Sequence, residues 1–161
     1  MHATFLMFDR PMPHPIAHTA RIDRVTDAND LRVCLAIRHT VFVEEQGVPV
    51  ELEIDDHDHG DAAHFAITVD GEIVGTARLC LFGEVAKIQR VAVLKAARGQ
   101  GLGAALIQYL AAHARENTPD KRIALDAQTH AITFYERLGF KTVGTPFDDA
   151  GIPHIRMELP L

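Results

Sequence analysis

Apolar positions along the chain switch between two periods, and the switches mark the elements. Leu31, Cys34, Leu35, Ile37, Val41 and Phe42 recur at helical spacing, with Thr26 or Asp27 able to cap the start. Gly47 and Pro49 stop this helix, and Ile22–Val25 before it reads as an opening strand. From Ala62 the period becomes two. Phe65, Ile67 and Val69 alternate with smaller or polar residues up to Asp70-Gly71, a two-residue hairpin turn. Ile73–Leu81 forms the return strand, Gly83-Glu84 a second turn, and Val85–Val93 a third strand. A helix over 101–116 follows, with Leu102, Leu106, Tyr109, Leu110 and His113 on one face and Pro119 beyond its end. Ile123–Ala127 reads as a short buried strand and Ala131–Leu138 as a second helix, closed by Gly139. Phe140–Val143 and His154–Leu159 read as a terminal hairpin. This order predicts an α+β fold, a mixed α/β sheet that is mostly antiparallel.

Length and composition narrow the class. At 161 residues the chain fits one domain of ~150 residues, and 47% apolar content is enough for a full core. Pro11, Pro13 and Pro15 set residues 1–19 apart as a poorly ordered or extended arm, leaving residues 20–161 as the domain. Sixteen basic and 22 acidic residues give a net charge of −6, which argues against a nucleic-acid partner. No apolar run approaches the ~18 residues of a membrane span. Cys34 and Cys80 form neither a disulfide framework nor a CxxC pair, and both sit among apolar residues, which fits a reducing, cytoplasmic setting. His57-x-His59 is the one metal-like spacing, and nothing else in the chain supports it, so no metal is expected.

The chemistry is concentrated in Val91-Ala92-Val93-Leu94-Lys95-Ala96-Ala97-Arg98-Gly99-Gln100-Gly101-Leu102-Gly103. This is a strand, a basic turn, a glycine-rich loop and a helix start. Such loops turn backbone N–H groups toward an anion, and the helix adds the positive end of its dipole. A pyrophosphate would sit there, with Lys95 and Arg98 as cationic support. The Gly-Lys-Ser/Thr close of a Walker A loop is absent. A dinucleotide fingerprint fits poorly too, because the preceding strands are hairpins rather than a βαβ start.

Arg98-x-x-Gly101-x-Gly103 after an apolar strand resembles the acyl-CoA pyrophosphate loop of the GNAT acyltransferase superfamily. Gln128-x-x-Ala131-x-x-x-Tyr135-Glu136-x-Leu138-Gly139-Phe140 resembles that superfamily's Asn-x-x-Ala-x-x-x-Tyr-Glu-Lys-x-Gly-Phe segment, with Gln128 in place of the commoner Asn. Arg38-x-x-Val41-Phe42-Val43-x-Glu45-Gln46-Gly47-Val48-Pro49 is similar to a small bacterial subgroup, as are Glu53-x-Asp55, Ala63-His64, Thr76–Leu79 and Gly151-Ile152-x-His154.

The resemblance implies a splayed strand pair and acetyl transfer from acetyl-CoA to an amine in a ternary complex. It assigns cofactor contacts to Val91, Ala92, Val93, Arg98, Gly99, Gln100, Gly101, Leu102, Gly103 and Ala104, and to Gln128, Ala131, Phe134 and Tyr135. It implies the Val93 N–H as oxyanion donor, worth ~3 kcal/mol. Tyr135 would face the CoA sulfur. A thiol near pKa ~8.5 makes full proton transfer from a phenol near ~10 uphill by roughly 2 kcal/mol, so hydrogen bonding to the thiolate serves as well as protonation.

An alkyl amine near pKa ~10.4 must also lose a proton, to a carboxylate or a histidine. Glu44, Glu45, Asp55, His64 and His154 are the candidates, with Glu45 preferred. Phe42, Glu45, Asp55, His64 and Arg90 are the expected acceptor-side contacts. Residues 44–61 hold eight acids and no Lys or Arg, so the rest of the chain carries −6 + 8 = +2. Such a loop would draw a small cationic amine. A non-catalytic acyl-CoA sensor on the same fold is the alternative, and the terminal hairpin could pair two copies into a homodimer.

Overall fold

Asp70 and Gly71 both take positive φ, 50° and 85°, the geometry of a primed two-residue turn. They join β3 (Ala63–Val69) to β4 (Glu72–Phe82), and β5 (Val85–Val93) completes the meander. The computed structural model describes residues 3–6 and 19–160. Of the arm expected over residues 1–19, positions 1, 2 and 7–18 lie outside the described residues. β1 (Ala3–Leu6) pairs antiparallel with β2 (Thr19–Arg24), which pairs with β3. β6 (Arg122–Gln128), β7 (Lys141–Asp149) and β8 (Ile152–Leu159) complete an eight-stranded sheet ordered β1-β2-β3-β4-β5-β6-β8-β7. Every neighbouring pair is antiparallel except β5–β6, so the sheet is mixed and mostly antiparallel, as the sequence predicts.

Two helices cover the sheet from opposite sides. α3 (Leu102–Asn117) sets Leu106, Ile107, Leu110 and Ala114 against Phe65, Ile67, Leu79 and Ile88 in the main core. α1 (Ala28–Arg38) starts at Asp27, whose carboxylate accepts the Asp30 N–H at 2.9 Å. The helical stripe expected to run unbroken to Phe42 changes pitch. Residues His39–Glu45 form a π-helix, whose Val41 packs with Ile37 and Ala92 in a second apolar cluster. The wider turn is a known device near functional sites. Gly47, at φ 72°, ends it.

Two short elements escape apolar periodicity: α2 (Val50–Glu53) and a 3₁₀ turn over Asp56–His59. The terminal hairpin is also longer than expected. β7 runs on past Val143 through a register shift to Asp149, because the β8 partner continues opposite it. α4 (Ile132–Arg137) is closed by Gly139 at φ 95°, as expected. Cys34 and Cys80 are buried and unpaired. Among the described residues no helix is long and apolar enough to cross a membrane.

Candidate functional site

β5 and β6 pair in parallel from Val85–Ile88 against Arg122–Leu125 and then part. Beyond that point Asp126, Ala127 and Gln128 pair only with β8, while β5 continues alongside β4. The gap opens into a cavity of about 260 Å³, walled by Ile88–Val91, Leu125, Asp126 and Gln128. Phe42, Gln46, Val48 and Leu52 close one side, Ala131 and Tyr135 another, and Asp149, Ile152 and His154 a third.

A bulge in β5 shapes the floor. Ala92 lies opposite Thr76 and Gln89 opposite Arg78, so Arg90 and Val91 together face Ala77. Arg90 takes φ 53°, a left-handed conformation that costs a side-chain-bearing residue about 1–2 kcal/mol. Its guanidinium offsets this by donating to the carbonyls of Glu53 and Leu52, at 3.2 and 3.3 Å. Strain held in place this way is typical of functional sites.

The glycine-rich loop lies at the C-terminal end of β5. A 3₁₀ turn over Lys95–Ala97 leads to Gly99 and Gly101, at φ 79° and 77°. α3 begins at Leu102 with no side-chain cap, so its first N–H groups point out unspent. A Cβ on Gly99 would meet nothing within 4 Å. Backbone donors, open space and a guanidinium on one loop fit a pyrophosphate. The Leu102 and Ala92 side chains, by contrast, are buried in the two cores, so only their backbone could touch a ligand. Phe134 packs between the loop and Tyr135, with its ring edge 3.9 Å from the Cβ position of Gly103 and its centroid 5.0 Å from that of Tyr135 in a T-shaped contact.

Tyr135 has its ring between Phe134 and Phe140, and burial pushes its phenol up to about 12. It is therefore a neutral hydrogen-bond donor at any physiological pH. Gln128 spans the mouth: its amide N–H donates to Gln46 at 2.8 Å, and its carbonyl oxygen accepts from His130 Nε2 at 2.6 Å. Val93 stands opposite Gly75, and its carbonyl accepts from Arg98 Nε at 2.9 Å.

The acidic stretch is spent differently from the expectation. Arg38 donates to Glu53 and Asp58 at 2.6 Å each, and Arg78 to Asp55 and Asp58 at 2.7 Å. Arg38, Arg78, Glu53 and Asp58 are each 3% exposed or less. Burial alone would raise the Asp58 carboxyl, but Arg38, the Asp55 N–H and Arg78 hold it well below the usual carboxylate range. Arg98 takes Glu45 at 2.6 Å. Four of the eight acids are thus ion-paired with arginines from α1, β4 and the loop, and the exposed negative charge of residues 44–61 falls to Glu44, Glu51, Asp56 and Asp61. Sequence spacing could not show this, because each partner lies 15 to 53 positions away.

Three expected acceptor-side residues therefore lie elsewhere. Asp55 is clamped by both terminal nitrogens of Arg78. His64 is 7% exposed and bonded through Nε2 to the Asp58 carbonyl at 3.0 Å, with its buried Nδ1 unpartnered. Glu45 is held by Arg98 outside the cavity wall. Of the residues expected to contact cofactor or acceptor, Phe42, Arg90, Val91, Gln128, Ala131 and Tyr135 line the cavity. His154, a candidate base ranked below Glu45 on sequence grounds, joins them. Gln46, Leu52, Asp126 and Asp149 line it too, and none is among the expected contacts. Asp126 is fully engaged there, with Lys87 at 2.6 Å and Arg156 at 2.7 Å.

Residues 34–161 match the acetyltransferase (GNAT) domain family. The chain belongs to that family. Its relatives include the uncharacterized N-acetyltransferase YjcF of Bacillus subtilis, 34% identical over 128 residues, spanning 79% of this chain and 90% of that one. Protein ElaA of Escherichia coli is 35% identical over 133 residues, spanning 80% of this chain and 86% of its own. The crystal structure of ElaA superposes with a TM-score of 0.78 over 89% of this chain and 99% of that one. An acyl-CoA N-acyltransferase from Pseudomonas aeruginosa matches as well, at 31% identity, TM-score 0.78 and the same coverage. As a member of the GNAT family, the chain is an acyltransferase. The fold that carries its cavity is the acyl-CoA N-acyltransferase fold.

Proposed function

We propose that the protein transfers the acetyl group of acetyl-CoA to the primary amine of a small, cationic acceptor by direct attack in a ternary complex. The observation that carries this reading is the parting of β5 and β6 between an uncapped, glycine-rich α3 start and Tyr135. The loop from Arg98 to Gly103 would hold the pyrophosphate, and the unpaired edge of Val91–Val93 the pantetheine arm. A cavity of about 260 Å³ is at the small end for ligand sites, which suits an acetyl group and a compact amine.

Each residue then has a definable task. The Val93 N–H stabilises the oxyanion formed as the amine adds to the thioester. Tyr135 faces the leaving sulfur. With its phenol at about 12 against a thiol near ~8.5, full proton donation is uphill by roughly 5 kcal/mol, so Tyr135 acts by hydrogen bonding to the thiolate. The wall carries Glu53, Asp126 and Asp149. Arginines or lysine already hold the first two, so Asp149 is the carboxylate through which an ammonium group would be drawn in. Cys34 and Cys80, buried and unpaired, suit a reducing cytoplasm.

A thermal-shift screen with CoA, acetyl-CoA and longer acyl-CoAs, run beside an amine library with thiol release as readout, tests the reading. Acetyl-CoA should stabilise the protein, and at least one small amine should drive CoA release. Clear stabilisation without thiol release from any amine would replace it with a non-catalytic acyl-CoA sensor. Stronger stabilisation by ATP or NAD would remove CoA altogether.

A further inference from the structure

We propose that His154 is the group that takes the proton from the acceptor's ammonium. The assignment rests on the amine-acetylation reading above and names a residue for the step which that reading leaves open. His154 stands on β8 opposite Gln128 of β6 and lines the cavity that Tyr135 also lines. Its Nδ1 lies 2.7 Å from the Ile152 carbonyl. A carbonyl can only accept, so Nδ1 carries the ring proton, and the lone pair of the neutral imidazole is on Nε2. Phe147 of β7 stacks on the ring at 6.0 Å and 24°, which fixes its plane. The imidazole is therefore held at both a polar edge and an apolar face, with a defined tautomer. Such restraint is what a proton acceptor needs and an incidental strand histidine does not.

The other basic groups of the wall are less suited. Glu53 is bonded to Arg38 and Asp126 to Lys87 and Arg156. Asp149, on the strand beside His154, remains. An imidazole is by its chemistry a stronger base than a carboxylate, and so takes a proton from an ammonium with the smaller loss. Asp149 serves better as the ammonium's electrostatic partner than as its base. Lys87 and Arg90 are the cations of the same wall, and each faces a carboxylate or carbonyl of its own.

The step balances without an added reagent. One proton passes from the acceptor nitrogen to His154 Nε2, and the freed lone pair forms the C–N bond at the thioester carbon. The C–S bond breaks with its electron pair on sulfur. The second nitrogen proton reaches that thiolate through solvent while the Tyr135 hydroxyl stays hydrogen-bonded to the sulfur, and Nε2 returns its proton to water.

His154→Gln and His154→Asn, each assayed from pH 5 to 10 with an amine found active on the wild type, test the assignment. Both should lose about 100-fold or more in kcat at pH 7, with KM for acetyl-CoA and the thermal shift by CoA unchanged. The acidic limb of the wild-type profile should vanish, and the deficit should shrink as pH approaches the amine's own pKa. Turnover within threefold of wild type, or a lower kcat with the acidic limb intact, overturns the assignment and leaves acetyl transfer standing. A wild type that releases no thiol with any amine overturns acetyl transfer itself, and the assignment with it.

Discussion

Arg98 donates through Nη2 to both carboxylate oxygens of Glu45, at 2.6 and 3.0 Å, joining the glycine-rich loop to the end of the π-helix. The guanidinium expected to meet a pyrophosphate is thus already matched by an acid at the end of the π-helix. Both side chains are well exposed, 41% and 30%, so the pair is worth at most about 1 kcal/mol. That is still enough to compete with an incoming phosphate. Glu45→Gln should tighten CoA binding by up to about fivefold, measured by calorimetry at low salt, and the gain should fade as salt is raised. An unchanged or weaker affinity would show that the pair does not compete.

Tyr135→Phe removes one hydroxyl from a ring already packed between Phe134 and Phe140. The fold and CoA affinity should change little, while kcat falls about 10- to 100-fold. Because burial pushes the phenol up to about 12, the hydroxyl stays protonated from pH 6 to 10, and the deficit should be constant across that range. A deficit that disappears toward pH 10 would mean that Tyr135 ionises in turnover.

Asp58 receives both Arg38 and Arg78 in a buried setting, so removing its charge leaves two guanidiniums short of a partner. Asp58→Asn should cost about 3–5 kcal/mol, a fall in Tm of roughly 6–20 °C. It should also loosen α2, which Glu53 ties to Arg38 and which supplies Leu52 to the cavity wall. The pH dependence has a defined sign. Folding lowers the Asp58 carboxyl's affinity for protons, so its contribution is complete above the unfolded value near ~3.9 and drains away as pH falls below it. The wild type should lose stability steeply below about pH 4, and Asp58→Asn should lose less over the same interval. Equal slopes in urea titrations would assign acid lability elsewhere.

The elements that the sequence shows plainly are those made by local rules. The Asp70-Gly71 turn needs only two residues that tolerate positive φ, and the stop at Gly139 needs one. The loop from Arg98 to Gly103 shows itself through glycine spacing, and Tyr135 through a motif that runs from Gln128 to Phe140. What stays hidden depends on distant partners. Glu53, Asp55 and Asp58 read as a solvated acidic run until Arg38 and Arg78 arrive from α1 and β4. The same holds for Glu45, which looks like a free base in sequence and is a salt-bridged side chain in the fold. His154 is passed over for a related reason: a strand histidine has no signature until a carbonyl, an aromatic face and a cavity surround it.

Gly99 separates what the loop does for the fold from what it does for a ligand. Its φ of 79° is left-handed, and the space a Cβ would occupy is open. Gly99→Ala therefore costs the fold only backbone strain, about 1 kcal/mol or a 2–4 °C fall in Tm. Gly83, at the opposite end of β5, is the matching control: φ 54°, equally open around its Cβ, and remote from the loop. The two alanine variants should be destabilised alike. They should differ for CoA, because a methyl group on Gly99 stands where backbone N–H groups would approach a phosphate, and Kd should rise about tenfold or more. Gly83→Ala should bind CoA as the wild type does. Equal CoA affinities in the two variants would mean that the pyrophosphate does not lie against Gly99.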